Sequence, residues 1–501
     1  MSTPSSRFPQ GRPRLLLNAF LMNTPSHIRG GQWRHPDAQQ HRYNELAFWT
    51  GLARQLEEAK FDALFFADVA GLYGDHDGGW ASHVRRGLQV PANDPLILLA
   101  ALAGATEHIG LAATSSVVQS HPFQFARQIS TLDHLSGGRI GWNIVTSVLE
   151  NTHRNFGGDG LAAHADRYDW ADEYVEAAYK LWEGSWDDGA VLADKAAGVY
   201  ADPEKVHKIH HRGPRYSIEG PHLVAPSPQR TPFLFQAGSS GRGQRFAAAN
   251  AEATFIFAPN PEHAATVAAG VRLHAADAGR LPEDILVFTG LSFVVGGTEE
   301  EARRKKQDLD AYLDLDAVIA HIGGGLGVDF GGLPLDTPIG DIETEGGRGV
   351  LEAIIASTPG RNPTLADVAR YRTEAQQIVG TPEQIADQLE RWQDAGVDGI
   401  NIINSLLPGS YTDFIDGVLP ELRRRGLAQT GYAEGTLREK VFGRSAHYPG
   451  AHLNDRHPAA RWRGAFQGSS AAADTRRAAE GPAPTPAPAL APVPASADSQ
   501  D

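Results

Sequence analysis

The chain has 501 residues, 60 acidic against 45 basic, for a formal charge of −15 with no basic cluster. That balance excludes an electrostatic grip on nucleic acid or anionic lipid, and the lack of any cysteine excludes disulfides, thiolate metal sites and cysteine nucleophiles. No apolar stretch precedes Leu15 and none reaches the length of a membrane span, so a single large soluble unit in the cytoplasm is expected.

The predicted elements alternate along the chain. Leu15 to Leu21 is a short apolar run suited to a buried strand, with Phe20 inside it and His27 beyond its end. A helix is predicted from Tyr43 to Ala59, a strand from Phe61 to Ala67 closed by Asp68, and a helix from Leu96 to Thr106 opened by the Asp94-Pro95 cap. Ile109 to Ala113 forms the next strand and runs into Thr114, Ser115 and Ser116. Pro122 starts a helix that stops on Gly137 and Gly138, and Arg139 to Thr146 then alternates as a strand carrying Asn143. A helix from Tyr168 to Trp182 crowds Asp169, Asp172 and Glu173 into its first turns, where they complement the helix dipole.

Phe233 to Gln236 is the fifth strand and leads through Ala237-Gly238-Ser239-Ser240-Gly241 into a helix near Gln244. Strands at Thr254 to Ala258, Ile285 to Val295 and Gly399 to Asn404 follow, interleaved with helices at Pro261 to Ala278 and Thr298 to Leu315. A last helix is announced by the capping-box spacing of Thr381 and Gln384. About eight strand and helix pairs make a (β/α)8 TIM barrel of the α/β class. The expected plan is a flexible N-terminus over 1–13 and a barrel over 14–426 with insertions at 185–230 and 322–378, the second glycine-rich and read as a mobile lid. An extension over 427–467 and a disordered Ala/Pro-rich tail over 468–501 complete it.

A barrel places its working groups on the loops after the strands, which collects Asp68, Thr114 to Ser116, Asn143, Ser239 and Ser240, with Asn404 opposite. Small residues at Ser239-Ser240-Gly241 let backbone N–H groups and two hydroxyls approach a phosphate at a helix N-terminus. The spacing of Gly238, Gly241 and Gly243 is not a dinucleotide fingerprint, and taken alone the turn reads equally as a tight left-handed turn.

Three long stretches carry a resemblance: HPFQFARQISTLDHLSGGRIGWNIVT from residue 121, RYDWADEYVEAAYKLWEGSW from residue 167, and SPQRTPFLFQAGSSGRGQRFAA from residue 227. Together they resemble the nitrilotriacetate, pristinamycin and dibenzothiophene-sulfone monooxygenase group of the bacterial-luciferase-like superfamily. The resemblance implies a monooxygenase that uses reduced FMN and O2, receives its flavin from a separate NAD(P)H:flavin reductase, and works as a homo-oligomer. It implies a small organic substrate, an organosulfur compound or an aminopolycarboxylate.

Matched motif by motif, Asp68 in FDALFFAD, Thr114 in GLAATSS, His164 and Tyr168 in HADRY, and Ser239 in QAGSS take flavin-contacting positions, with Ser240 and Asn143 as additions. His164, Tyr168 and Asn143 are the candidate catalytic groups, through hydrogen bonds to the reacting ring. Phe20 and His27 take substrate-pocket positions. The segment SVVQS at 116–120 departs from the more aromatic wording of many relatives. The rivals are a deazaflavin-dependent dehydrogenase on the same barrel and a non-catalytic flavin-binding protein. No metal motif is present, so no metal is expected.

Overall fold

The computed structural model describes residues 13–74, 77–238, 240–326, 328–342, 355, 362–443 and 450–480. Eight parallel strands close on themselves: β1 (Leu16–Met22), β2 (Ala63–Ala67), β3 (Gly110–Ser116), β4 (Ile140–Val145), β5 (Phe233–Gln236), β6 (Ala253–Ile256), β7 (Leu286–Val295) and β8 (Gly399–Ile403). Each pairs with the next, and β8 returns to β1 in the register Leu16↔Gly399 to Phe20↔Ile403. The period of two along each strand then divides the core. Leu16, Phe20, Phe65, Ala112, Phe233, Phe235 and Phe288 fill the barrel, while Leu17, Leu21, Leu64, Phe66, Leu111 and Trp142 pack outward under the helices. So many phenylalanines fit because β8 opens on a glycine: a Cβ at Gly399 would lie 2.2 Å from the Phe288 ring.

The helices around the barrel are α1 (Leu46–Glu58), α2 (Pro95–Ala103), α3 (Pro122–Ser136), α4 (His164–Tyr179), α5 (Gly241–Asn250) and α6 (Pro261–Asp277). Beyond β7 come α7 (Glu299–Asp310), α8 (Leu315–Leu326), α9 (Leu365–Glu374) and α10 (Pro382–Asp394). Their ends follow the local chemistry. Asp94 accepts from the N–H groups of Leu96 and Ile97, Gly137 closes α3 in the left-handed region at φ 67°, and Thr381 with Gln384 forms the reciprocal box that opens α10. α4 begins one turn before the predicted Tyr168, since the polar turn from His164 lies outside the apolar face on which the prediction rests. It continues beyond Tyr179 as a π turn over Lys180–Gly184.

The insertion and the start of the tail carry structure of their own. The described part of 322–378 is a built unit. Val318, Ile319, Ile322, Phe330, Leu365 and Val368 form a small core of their own between α8 and α9, and Gln377–Gly380 adds a parallel strand to β7. Within the predicted disordered tail, Ala471–Glu480 is a helix, because alanine and arginine favour it and the first tail proline comes only at Pro482. Ion pairs of Lys208 with Asp474 at 2.7 Å and Arg476 with Glu204 at 2.5 Å hold it to the 185–230 insertion. Residues 1–12 and 481–501 lie outside the described residues.

The extension beyond Gly426 closes the barrel floor. Leu437, on the short helix Leu437–Phe442, joins the interior cluster, and Arg438 beside it is fully buried. Its guanidinium meets Glu252 at 2.5 Å and donates to the carbonyls of Thr231, Pro232 and Ala451.

Candidate active site

The carboxyl ends of β2 to β5 form a contiguous polar arc. Thr114 and Asn143 face each other across β3 and β4, and Asn143 Nδ2 donates to Thr114 Oγ1 at 2.9 Å. The other amide atom, Asn143 Oδ1, is buried without a hydrogen-bond partner among the described residues. One strand further, Gln236 ends β5 opposite Ile144, and its buried Oε1 is equally unpartnered. An orphaned acceptor costs about 1–3 kcal/mol, and here two stand on adjacent strand ends.

Beyond these atoms α4 and α5 converge. Ser240 caps α5: its Oγ accepts from Gly243 N at 3.0 Å and lies 3.1 Å from Nε2 of the exposed His164, the first residue of α4. Tyr168, one turn along α4, is buried and hydrogen-bonded to both Ser240 and Gln236; burial raises its pKa and keeps the hydroxyl a donor. Position 243 must be glycine, because a Cβ there would sit 2.5 Å from Tyr168 Oη. Arg242 lies over the Tyr168 ring at 5.5 Å and is paired with Asp169 and Asp172. The arc therefore offers neutral donors and the N-terminus of α5. Ser239 lies outside the described residues.

At the β2 end of the arc, Asp68 is half-buried and accepts from Gln119 Nε2 at 3.3 Å. Burial pushes its carboxyl up to about 6. Asn404, the polar group opposite, is a strut: its Nδ2 donates to the Phe20 carbonyl at 3.2 Å.

The β1 side is aromatic. Phe20 packs against Phe65 at 5.5 Å and Phe255 at 5.3 Å within the barrel, and its outer edge meets the His27 ring at 4.8 Å. Desolvation, reinforced by His321, pushes His27 down to about 3. His321 on α8 is itself lowered to about 4 by desolvation, with His83 and Arg372 adding to the effect. Tyr73 lies 4.9 Å from the His321 ring and 5.8 Å from the His83 ring, and burial raises its hydroxyl to about 12. Tyr73, His83 and His321 were not legible in the sequence, since none stands at a strand end or carries a motif. His35 instead tethers its segment to α7, Nε2 lying 2.9 Å from Asp308.

A hollow of about 430 Å³ is lined by Glu299, Arg303, Gln377 and Gln384 and shares no residue with the arc. Among the described residues no group of three or more His, Asp or Glu could hold a metal ion, and no helix is long and apolar enough to cross a membrane.

Comparison with known proteins supplies the context for this geometry. Residues 22–399 match the luciferase-like monooxygenase family. The chain is 44% identical over 467 residues to dimethyl-sulfide monooxygenase of Hyphomicrobium sulfonivorans, covering 92% of this chain and 96% of that one. The crystal structure of that organism's DmoA superposes with a TM-score of 0.86 at 43% identity, covering 94% of this chain and 99% of that chain. Long-chain alkane monooxygenase of Geobacillus thermodenitrificans is 44% identical over 451 residues, 90% of this chain and 98% of its own. A riboflavin lyase crystallised with modified FMN and riboflavin superposes at TM-score 0.80 and 36% identity, over 90% of this chain and 99% of its own. With matches of this length and a closed barrel whose polar groups gather at one rim, the chain belongs to the luciferase-like monooxygenase family.

Proposed function

We propose that this protein is an FMNH2-dependent monooxygenase of a two-component system, inserting one oxygen atom from O2 into a small organic substrate. The observation that carries this is the pair of unpartnered acceptors, Asn143 Oδ1 and Gln236 Oε1, between the Thr114 hydroxyl and the Ser240, His164 and Tyr168 cluster. A reduced flavin ring brings N–H donors that such acceptors lack, and its phosphate suits the serine turn at the N-terminus of α5. The residues thus fit FMN: Asp68, Thr114, Asn143, Tyr168 and Ser240, with His164 beside them. When bound, reduced FMN supplies the electrons and the chemistry that activates O2.

The chain's own work is positional. Tyr168 stays protonated through burial and presents an O–H, and His164 holds the Ser240 hydroxyl in place. Phe20, Phe65 and Phe255 exclude water from the barrel side of the site. His27 and His321 are neutral at physiological pH, and the Arg29 guanidinium is held by Ser292 Oγ and the Thr373 carbonyl, both at 2.7 Å. This lining favours an uncharged organosulfur compound over an aminopolycarboxylate. A separate NAD(P)H:flavin reductase, a homo-oligomeric state and a cytoplasmic location belong to the same proposal.

The test is to incubate the protein with FMN, a general flavin reductase, NADH and a panel of sulfides, sulfones and aminopolycarboxylates. Oxygenated product from a sulfide or sulfone, dependent on the reductase, is expected. Rapid NADH oxidation by the protein alone would overturn the two-component arrangement, and flavin binding with no oxygenated product would favour the non-catalytic rival. Tighter binding of reduced deazaflavin than of FMNH2 would favour the dehydrogenase.

A further inference from the structure

Asp68 owes its place to a residue that no motif announces. Gln119 lies in the turn after β3, where its own N–H donates to the Ser116 carbonyl at 3.0 Å. Its side-chain Oε1 accepts from Ser116 N at 2.6 Å and from Ser115 Oγ at 3.1 Å. A backbone N–H can only donate, so the amide has one orientation, with Nε2 turned away from the turn. Nε2 then donates to Asp68 Oδ2 across 51 residues of sequence. The turn is itself tied to the exit of β4, where Ser147 Oγ donates to Ser116 Oγ at 2.8 Å. Closing the turn needs only Oε1; the donor on the far side of the amide serves Asp68.

We propose that Gln119 is a positioning residue, fixing the Asp68 carboxylate in one orientation at the barrel rim where it meets the cofactor. The assignment rests on the FMN reading above and adds to it a residue from the SVVQS segment at 116–120. A donor facing a carboxylate stabilises its ionised form. Burial and the neighbouring charge of Asp94 favour the neutral form, while Gln119 and the Val69 N–H oppose them. Gln119 therefore favours the ionised form of Asp68.

The experiment measures FMN binding by quenching of flavin fluorescence from roughly pH 5 to 8, a range that spans the ionisation of a carboxyl displaced toward neutrality. It is run on the intact chain and on Gln119→Leu, Gln119→Glu and Asp68→Asn variants. In parallel, the Asp68 carboxyl is titrated in the flavin-free chain by 13C NMR of labelled aspartate, assigned by its loss in Asp68→Asn. The unsubstituted chain should show a bend in affinity near pH 6, which Asp68→Asn abolishes.

Gln119→Leu should move the bend upward by about half a pH unit or more, and weaken binding roughly threefold just above it. If Gln119→Leu fails to fold because Ser116 N–H loses its acceptor, Gln119→Glu decides. It keeps that acceptor but turns an oxygen toward Asp68, so the bend and the NMR titration should move upward further. A bend unmoved in both Gln119 variants, or retained in Asp68→Asn, overturns the proposal. If the unsubstituted chain binds no FMN at any pH, the FMN reading fails. The flavin-free titration then still decides whether Gln119 governs the Asp68 carboxyl.

Discussion

The floor and the mouth of this barrel treat buried polar groups in opposite ways. At the floor, Arg438 and Glu252 are both fully buried, with carbonyl groups and the Leu234 N–H completing the set. At the mouth, Asn143 Oδ1, Gln236 Oε1 and the Nδ1 atoms of His27 and His321 have no hydrogen-bond partner among the described residues. Burial is similar at the two ends, so burial alone does not mark the site. What sets this part of the mouth apart from the Arg438–Glu252 pair is unsatisfied polarity gathered on adjacent strand ends, which a ligand would complete.

Removing one side of the floor's ion pair gives the largest expected effect. Arg438→Met leaves Glu252 charged and buried, and should cost about 3–5 kcal/mol in urea denaturation, with Arg438→Met/Glu252→Gln recovering part of it. A loss no larger than that of a surface substitution would erase the contrast between the two ends.

Acid should act next, and through the mouth. The histidines His27 and His321 have folded pKa values pushed below the ordinary 6.5, to about 3 and about 4. Between those values the unfolded chain binds more protons, so their contribution is complete above pH 6.5 and is lost as pH falls through the window. The slope is about 1 kcal/mol per pH unit for each histidine. Asp68 has the opposite sign, its contribution being present at low pH and lost as pH rises through about 6. Denaturation at a series of pH values should show His321→Phe flattening the acid limb, and an unchanged limb would place the acid sensitivity elsewhere.

Ser240→Ala is the mildest test. Loss of the α5 cap should lower stability by about 1 kcal/mol. FMN affinity by equilibrium dialysis should fall about tenfold if the hydroxyl reaches the phosphate. A stability change with unaltered affinity would reduce Ser240 to a cap.

The alternation of strand and helix was legible because each barrel strand is a short apolar run with a polar stop, and because prolines and glycines punctuate the helices. The arc Asp68, Thr114, Asn143, Ser240 follows from that pattern, since the end of a strand is a position the sequence states locally. The aromatic side was not legible. Tyr73, His83 and His321 meet only after segments distant in the chain have packed together, and a lone histidine gives no sign of where it will be buried. Gln119 escaped for a different reason. Its role depends on which way an amide points, which is settled by a backbone N–H three residues earlier in the chain. The helix at 471–480 was not legible because the overall richness of the tail in alanine and proline hides that proline-free run.

The stopper at the floor carries a consequence for biosynthesis. Leu15 N–H donates to the Leu427 carbonyl at 2.8 Å, and Arg14 reaches the Lys440 carbonyl, so the earliest strand is fastened by residues translated near the end. Without that distal segment the floor of the barrel would lie open onto its apolar interior. Chaperone protection of the elongating chain follows from that order of manufacture.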